Sequence, residues 1–267
     1  MTNFKVIDGS TTVNFDNLIK VEGFEFPSIN TVYTDTPGRS GAFFVKSKYG
    51  RRRLSWQGYL TSLCEVDRRA ILGFNIGELK TLKFETGYGL ALQTNIELES
   101  ILMPYQKLRT PYLFEAISPD YRFYSQTLSS ADTAPTTATG GVTLPTALPI
   151  DFSNVVGVSD LTIVNAGNAY SPPTMIITGP GTNFTIQNVT TGESLIISTT
   201  ITATDTITID VLNKTILLNG TTNIFGLSNR EFWEVPPGSS DVHFVAETGE
   251  GPSTSLNFSF RSAYKGI

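Results

Sequence analysis

The sequence predicts a mainly β protein, on the border of all-β and α+β: an N-terminal β-rich domain with one helix, then a C-terminal β-sandwich. Three observations carry this reading. The composition is that of a β protein, with 17 Phe and 10 Tyr among 267 residues and only 16% charged groups. The second half breaks into roughly nine short apolar runs between turn residues, the spacing of a sandwich. Between the halves, residues 127–149 hold three prolines, two adjacent glycines and one charge, with no helical period. Such a stretch reads as a linker. The expected divisions are 1–126, 127–149 and 150–267.

The N-terminal elements follow in order. Phe4-Lys5-Val6-Ile7 and Thr12-Val13-Asn14-Phe15 flank Asp8-Gly9 and predict a hairpin. Residues 52–60 read as a strand carrying Trp56 and Tyr59. In residues 62–74, Leu63, Val66, Ala70, Ile71 and Phe74 recur at spacings of three and four, which predicts an amphipathic helix. Ser62 and Glu65 form a capping box at its start, and Gly77 offers a stop. Gly87-Tyr88-Gly89 reads as a hairpin turn. In residues 90–99, Leu92, Thr94, Ile96 and Leu98 alternate with Gln93, Asn95, Glu97 and Glu99, a strand with one wet face.

Beyond the linker, strands are predicted over 161–164, 174–178, 184–189, 194–201, 206–209, 215–218, 232–235, 242–246 and 256–260. Residues 165–168 and Asn219-Gly220 suit tight turns with positive φ.

Charge narrows the function. The net charge of −5 is uneven: residues 1–150 hold 15 basic and 14 acidic groups, residues 151–267 hold 4 and 10. The second half lacks the basic footprint of a nucleic-acid binder. One cysteine, Cys64, permits no internal disulfide. No signal peptide and no membrane span is expected, and the chain is expected to be soluble and to fold in a reducing cytoplasm.

The groups that do chemistry at neutral pH are scarce. His243 is the single histidine, in the alternating run Asp241-Val242-His243-Phe244-Val245. One histidine and one cysteine, far apart in sequence, do not make a zinc site. The carboxylate pairs Glu97/Glu99 and Glu231/Glu234 are of the kind any β protein offers. No catalytic residue, cofactor or metal is expected. Trp233, in Phe232-Trp233-Glu234, is a candidate platform for a sugar ring, or else a core residue. The densest charge feature is Lys46, Lys48, Arg51, Arg52 and Arg53, following Phe43-Phe44-Val45. Three readings stand: a single-stranded nucleic-acid patch, a solvated hairpin with Tyr49-Gly50 at its tip, or a subunit interface.

The order of features resembles the phage distal tail protein family over nearly the whole chain. Pro37-Gly38-Arg39-Ser40-Gly41 looks like the family's glycine-flanked loop, ahead of an Arg-led strand at Arg52-Arg53-Leu54-Ser55-Trp56. The helix with Arg68-Arg69-Ala70-Ile71-Leu72 follows, then Leu82-Lys83-Phe84 and the aromatic run Leu113 through Tyr124. In the second half, Asn165-Ala166-Gly167-Asn168, Phe184 through Gly192, Asp205-Thr206-Ile207-Thr208-Ile209-Asp210 and Pro236-Pro237-Gly238 match the family's sequence of strands and turns.

The resemblance implies a structural virion protein of the tail tip or baseplate, assembled in the host cytoplasm. Its N-terminal domains would form a homohexameric ring. The ring would join the major tail tube protein to the tail-tip hub, and the galectin-like C-terminal domain could hold a receptor-binding protein. Neither nucleic acid nor membrane is an expected partner. Arg39, Arg51, Arg52 and Arg53, with the 127–149 segment, are the expected ring contacts. The alternatives are a carbohydrate-binding module, with Trp233 as its contact, or another tube or baseplate component.

Overall fold

The computed structural model describes residues 2–15, 17–35, 40–61, 65–74, 77–104, 109–133, 157–248 and 254–267. It divides into two compact units, Met1–Thr127 with Ala263–Ile267, and Leu128–Ser262. Among the described residues no helix is long and apolar enough to cross a membrane.

The first unit runs β1 (Thr2–Asp8), β2 (Thr11–Asn14), β3 (Leu18–Glu22), β4 (Ile29–Asp35), β5 (Ala42–Tyr49), β6 (Arg52–Thr61), α1 (Glu65–Leu72), β7 (Lys80–Glu85), β8 (Ala91–Leu102), β9 (Arg109–Ser118) and β10 (Phe123–Ser125). One sheet takes the order β2-β1-β7-β8-β9-β6-β3. β10 pairs with β8 and with a two-residue strand from the far end of the sequence, Ala263–Tyr264. The Asp8-Gly9 turn does join an antiparallel hairpin, with Asp8 opposite Thr11. On β8 the expected inward set, Leu92, Thr94, Ile96 and Leu98, is buried. Aromatic rings fill this core: Trp56 stacks on Phe114 at 5.2 Å, and Phe24 on Phe123 at 5.6 Å. Such pairs contribute beyond the area they bury.

α1 buries Ile71, and Phe74 just beyond it, as the periodicity requires. It ends earlier than Gly77, because Gly73 N–H already closes the last turn on the Arg69 carbonyl at 3.0 Å. Ser62, Leu63 and Cys64 lie outside the described residues, as does the side chain of Val66.

The second unit runs β11 (Ser129–Thr133), β12 (Gly157–Asn165), β13 (Thr174–Thr178), β14 (Gly181–Asn188), β15 (Ser194–Ile201), β16 (Thr206–Asp210), β17 (Thr215–Leu218), β18 (Thr222–Asn223), β19 (Gly238–Thr248) and β20 (Ser255–Phe260). A six-stranded sheet, β11-β20-β13-β16-β17-β18, and a four-stranded sheet, β12-β19-β14-β15, bury their alternate residues in one core. Met175, Ile177, Ile207, Ile209 and Phe258 come from the first, and Phe184, Ile186, Ile197 and Phe244 from the second. Sheet on sheet with one shared core is the sandwich that the strand spacing predicts.

The structure differs from expectation at particular places. Ser129–Thr133 is a strand paired with β20, although it falls in the expected linker; residues 134–149 lie outside the described residues. Residues 232–235 form no ladder. Val235 only exchanges two hydrogen bonds with Ser171, at 2.8 and 2.9 Å, and Pro236 and Pro237 then supply no N–H to continue. Ala263–Ile267 belongs to the first unit rather than to the sandwich. The turn at 165–168 needs no positive φ. The Asn165 side chain makes it by accepting from Gly167 N–H at 3.0 Å and donating to the Ala169 and Val235 carbonyls. Asn219 and Gly220 do take positive φ, 52° and 70°.

Candidate assembly surface

β4 and β5 form a two-stranded antiparallel sheet of their own, from Ile29 opposite Tyr49 to Asp35 opposite Ala42, with a bulge between Val32 and Tyr33. All seven residues of β4 are exposed, and β5 is exposed except at Tyr49. Strand side chains alternate between two faces, and here neither face is covered. Yet the ribbon carries Val32, Phe43 and Val45, with Tyr33 and Phe44 each 61% exposed. Tyr33 and Phe44 meet edge-to-face at 6.2 Å. An isolated two-stranded ribbon is marginal in water, and an apolar one with open edges marks a protein–protein contact.

The expected hairpin with Tyr49-Gly50 at its tip does not form. β5 pairs with β4, while β6 pairs with β3 and β9, so Tyr49-Gly50 instead hands the chain from ribbon to sheet. The Gly50 N–H donates to the Ser28 carbonyl at 2.8 Å and closes the ribbon's base.

The four arginines expected at a subunit interface have separate fates. Arg39 lies outside the described residues. Arg51 and Arg53 are exposed, and they line a cleft of about 440 Å³ beside the ribbon's base with Phe26, Asn30 and Gly50. Arg52 corrects the expectation. It is only 4% exposed, and its guanidinium is turned inward onto main-chain carbonyls, so it has no fork to offer a neighbour. The alternation of β6 explains this, since 52, 54 and 56 face the core.

Trp233 is likewise corrected as a carbohydrate contact. It is 2% exposed, stacks on Phe258 at 5.7 Å and donates its indole N–H to the Ile186 carbonyl at 3.1 Å. No ring face is open to a sugar. His243 Nδ1 lies 2.6 Å from Asp160 Oδ1 on an outward face of the sandwich. Among the described residues, no group of three or more His, Cys, Asp or Glu is placed to hold a metal ion.

A second surface escaped the sequence reading. Strand register sets Glu22, Ser55, Glu115 and Ser100 in one row across β3, β6, β9 and β8. Ser55 donates to Glu22 at 3.2 Å and Ser100 to Glu115 at 3.1 Å. Lys20, hydrogen-bonded to Glu22, holds that carboxyl below its usual pKa. These residues are far apart in sequence, so only the register assembles them. The ribbon, in contrast, had a local signal. Phe43-Phe44-Val45 puts three apolar groups in succession, which no half-buried strand can face to one core.

Residues 166–264 match the family model of the siphovirus-type tail component, C-terminal domain. All but the last two of those residues lie in the second unit. No curated protein matches the chain. Among solved structures, the chain aligns with the SPP1 Dit protein, described as a paradigm of the hub adsorption apparatus in phages that infect Gram-positive bacteria. The alignment covers 97% of this chain and 98% of that one, at 13% identity and a TM-score of 0.65. The described residues of both units therefore share the fold of that protein. Two structures of the phage P2 baseplate in its activated conformation, with calcium and with strontium, align over 99% of both chains at 12% identity. Their TM-scores are 0.47 and 0.49.

Proposed function

We propose that this protein is a structural adaptor of the phage tail tip, forming a homohexameric ring through its first unit. The observation that carries the reading is the β4–β5 ribbon, an apolar element with both faces exposed that only a neighbouring subunit would cover. A ring needs two different patches that meet in every subunit, and a projecting ribbon supplies one of them. Its Lys46 and Lys48 complement the row of Glu22 and Glu115, and charge complementarity fixes register more than affinity. In this reading the ring joins the major tail tube protein to the tail-tip hub, and the tail component domain presents a site for a receptor-binding protein. The protein would reside in the virion.

The test is solution mass by light scattering. The wild-type protein should run near six, or twelve for two rings, times the 29.1 kDa chain. Phe43→Ser with Phe44→Ser should leave a folded monomer with an unchanged melting temperature. A double variant that still assembles would remove the ribbon from the contact. Reversal of Arg51 and Arg53 to Glu should weaken the ring as well, since both are exposed beside the ribbon's base.

A further inference from the structure

The ribbon has no core of its own, so its direction is set only at its base. That base is held by residues distant in sequence. Arg52 Nη1 donates to the carbonyls of Gly23 at 2.9 Å and Glu25 at 2.5 Å, in the segment that enters β4. Nε and Nη2 donate to the Tyr121 carbonyl at 3.1 and 2.8 Å, and Nη2 also donates to the Lys265 carbonyl. The guanidinium lies 4.4 Å over the Phe123 ring. Every nitrogen of the fork is engaged. Burial lowers the Arg52 pKa to about 10, which leaves it a cation at neutral pH.

Residues 263–267 complete the arrangement. Ala263 and Tyr264 pair with β10. The Ile267 N–H donates to the Phe24 carbonyl at 3.2 Å. Lys265 Nζ lies 5.4 Å over the ring of Tyr49, the last residue of β5. Tyr49 in turn stacks on Tyr121 at 4.6 Å and meets Phe26 edge-on at 5.7 Å. Gly266 passes so close to the entering segment that a Cβ there would sit 2.7 Å from the Glu25 carbonyl oxygen. Both feet of the ribbon thus rest on Lys265, Gly266 and Ile267, which the pairing of Ala263 and Tyr264 ties to β10.

We propose that residues 263–267 act as a strap, locked by Arg52, that fixes the direction of the β4–β5 ribbon and so governs ring assembly. The governing of assembly rests on the ribbon being the subunit contact. Leverage makes the base decisive. The eight residues of β5 span about 26 Å at roughly 3.3 Å each, so a tilt of about 10° at the base moves the tip by about 4–5 Å. A ring repeats one geometry at every interface, and such an error would recur at each. Arg52 is a positioning residue here: it touches no partner and acts through the carbonyls it holds.

The experiment uses the full chain with Gly266→Val and, separately, Arg52→Lys, which keeps the charge and loses the fork. Solution mass and hydrogen exchange are read together. Both variants should associate at least tenfold more weakly than wild type. Exchange in β4 and β5, measured in the dissociated protein, should accelerate tenfold or more while β8 and β9 keep wild-type protection. Rings with wild-type exchange in both variants would overturn the strap, as would equal acceleration across the whole first unit. A wild-type monomer would overturn the ring reading alone. The exchange ratio would then decide the strap by itself, with faster β4 and β5 supporting it and unchanged exchange refuting it.

Discussion

Single residues show where sequence pattern decides and where it does not. Trp233 reads from the sequence as either a sugar platform or a core residue, and the structure takes the second. Its partners, Phe258 and the Ile186 carbonyl, lie 25 and 47 positions away, and no local pattern announces them. Trp233→Ala should cost about 3–5 kcal/mol, read from denaturant unfolding of the second unit, because the site is fully packed. Asp205 is a partly exposed residue just after a turn whose carboxylate accepts from Asn219 and Thr202, and these bonds lower its pKa to about 2. The sign follows from linkage. The folded pKa lies below the ordinary value of 3.8, so the ionised form favours folding. That contribution is complete above about pH 4 and is lost as the pH falls toward about 2. Asp205→Asn should flatten this part of the profile of melting temperature between pH 2 and 5. A parallel profile in the variant would show that the turn bonds contribute nothing.

Elements were legible where periodicity was clean and local. β8 alternates without exception from Leu92 to Leu98, and its buried face could be read from the sequence. The hairpin signals Asp8-Gly9 and Asn219-Gly220 both stand at turns. Gly220 sits at φ 70°, so Gly220→Ala should destabilise by about 1 kcal/mol, measurable by urea unfolding, since an L side chain in that region is strained. What was illegible is partner choice. Phe43 to Arg53 reads as one hairpin because Tyr49-Gly50 offers a turn, yet β5 finds β4 and β6 finds β9. Turn propensity is local, whereas the pairing of β6 is decided by burying Leu54 and Trp56. Helix α1 stopped at Gly73, the nearer of two glycines, where the last turn could close.

At the scale of the molecule, the sequence predicts two domains and a linker but not how the chain threads its two units. It leaves the first at Thr127 and returns at Ala263. In the first unit Tyr124 pairs with Ala263, and in the second Ser129 pairs with Phe260, so each unit's two connections emerge from neighbouring, hydrogen-bonded strands. A chain with residues 128–262 replaced by a short Gly-Ser bridge should therefore fold, and circular dichroism with light scattering should find the first unit intact and still assembling. An unfolded product would mean that the first unit depends on the second. Arg52 also bears on how such a chain changes over time. Its acceptors are all main-chain carbonyls, a group that every residue type supplies. For these bonds Glu25, Tyr121 and Lys265 can drift without any pair having to change together, whereas Gly23 cannot, since its φ is 85° and a Cβ there would lie 1.9 Å from the Arg53 carbonyl oxygen. Selection for the clamp's hydrogen bonds would then fall on Arg52 and Gly23 as fixed residues, and it would leave no trace in a search for covarying sites.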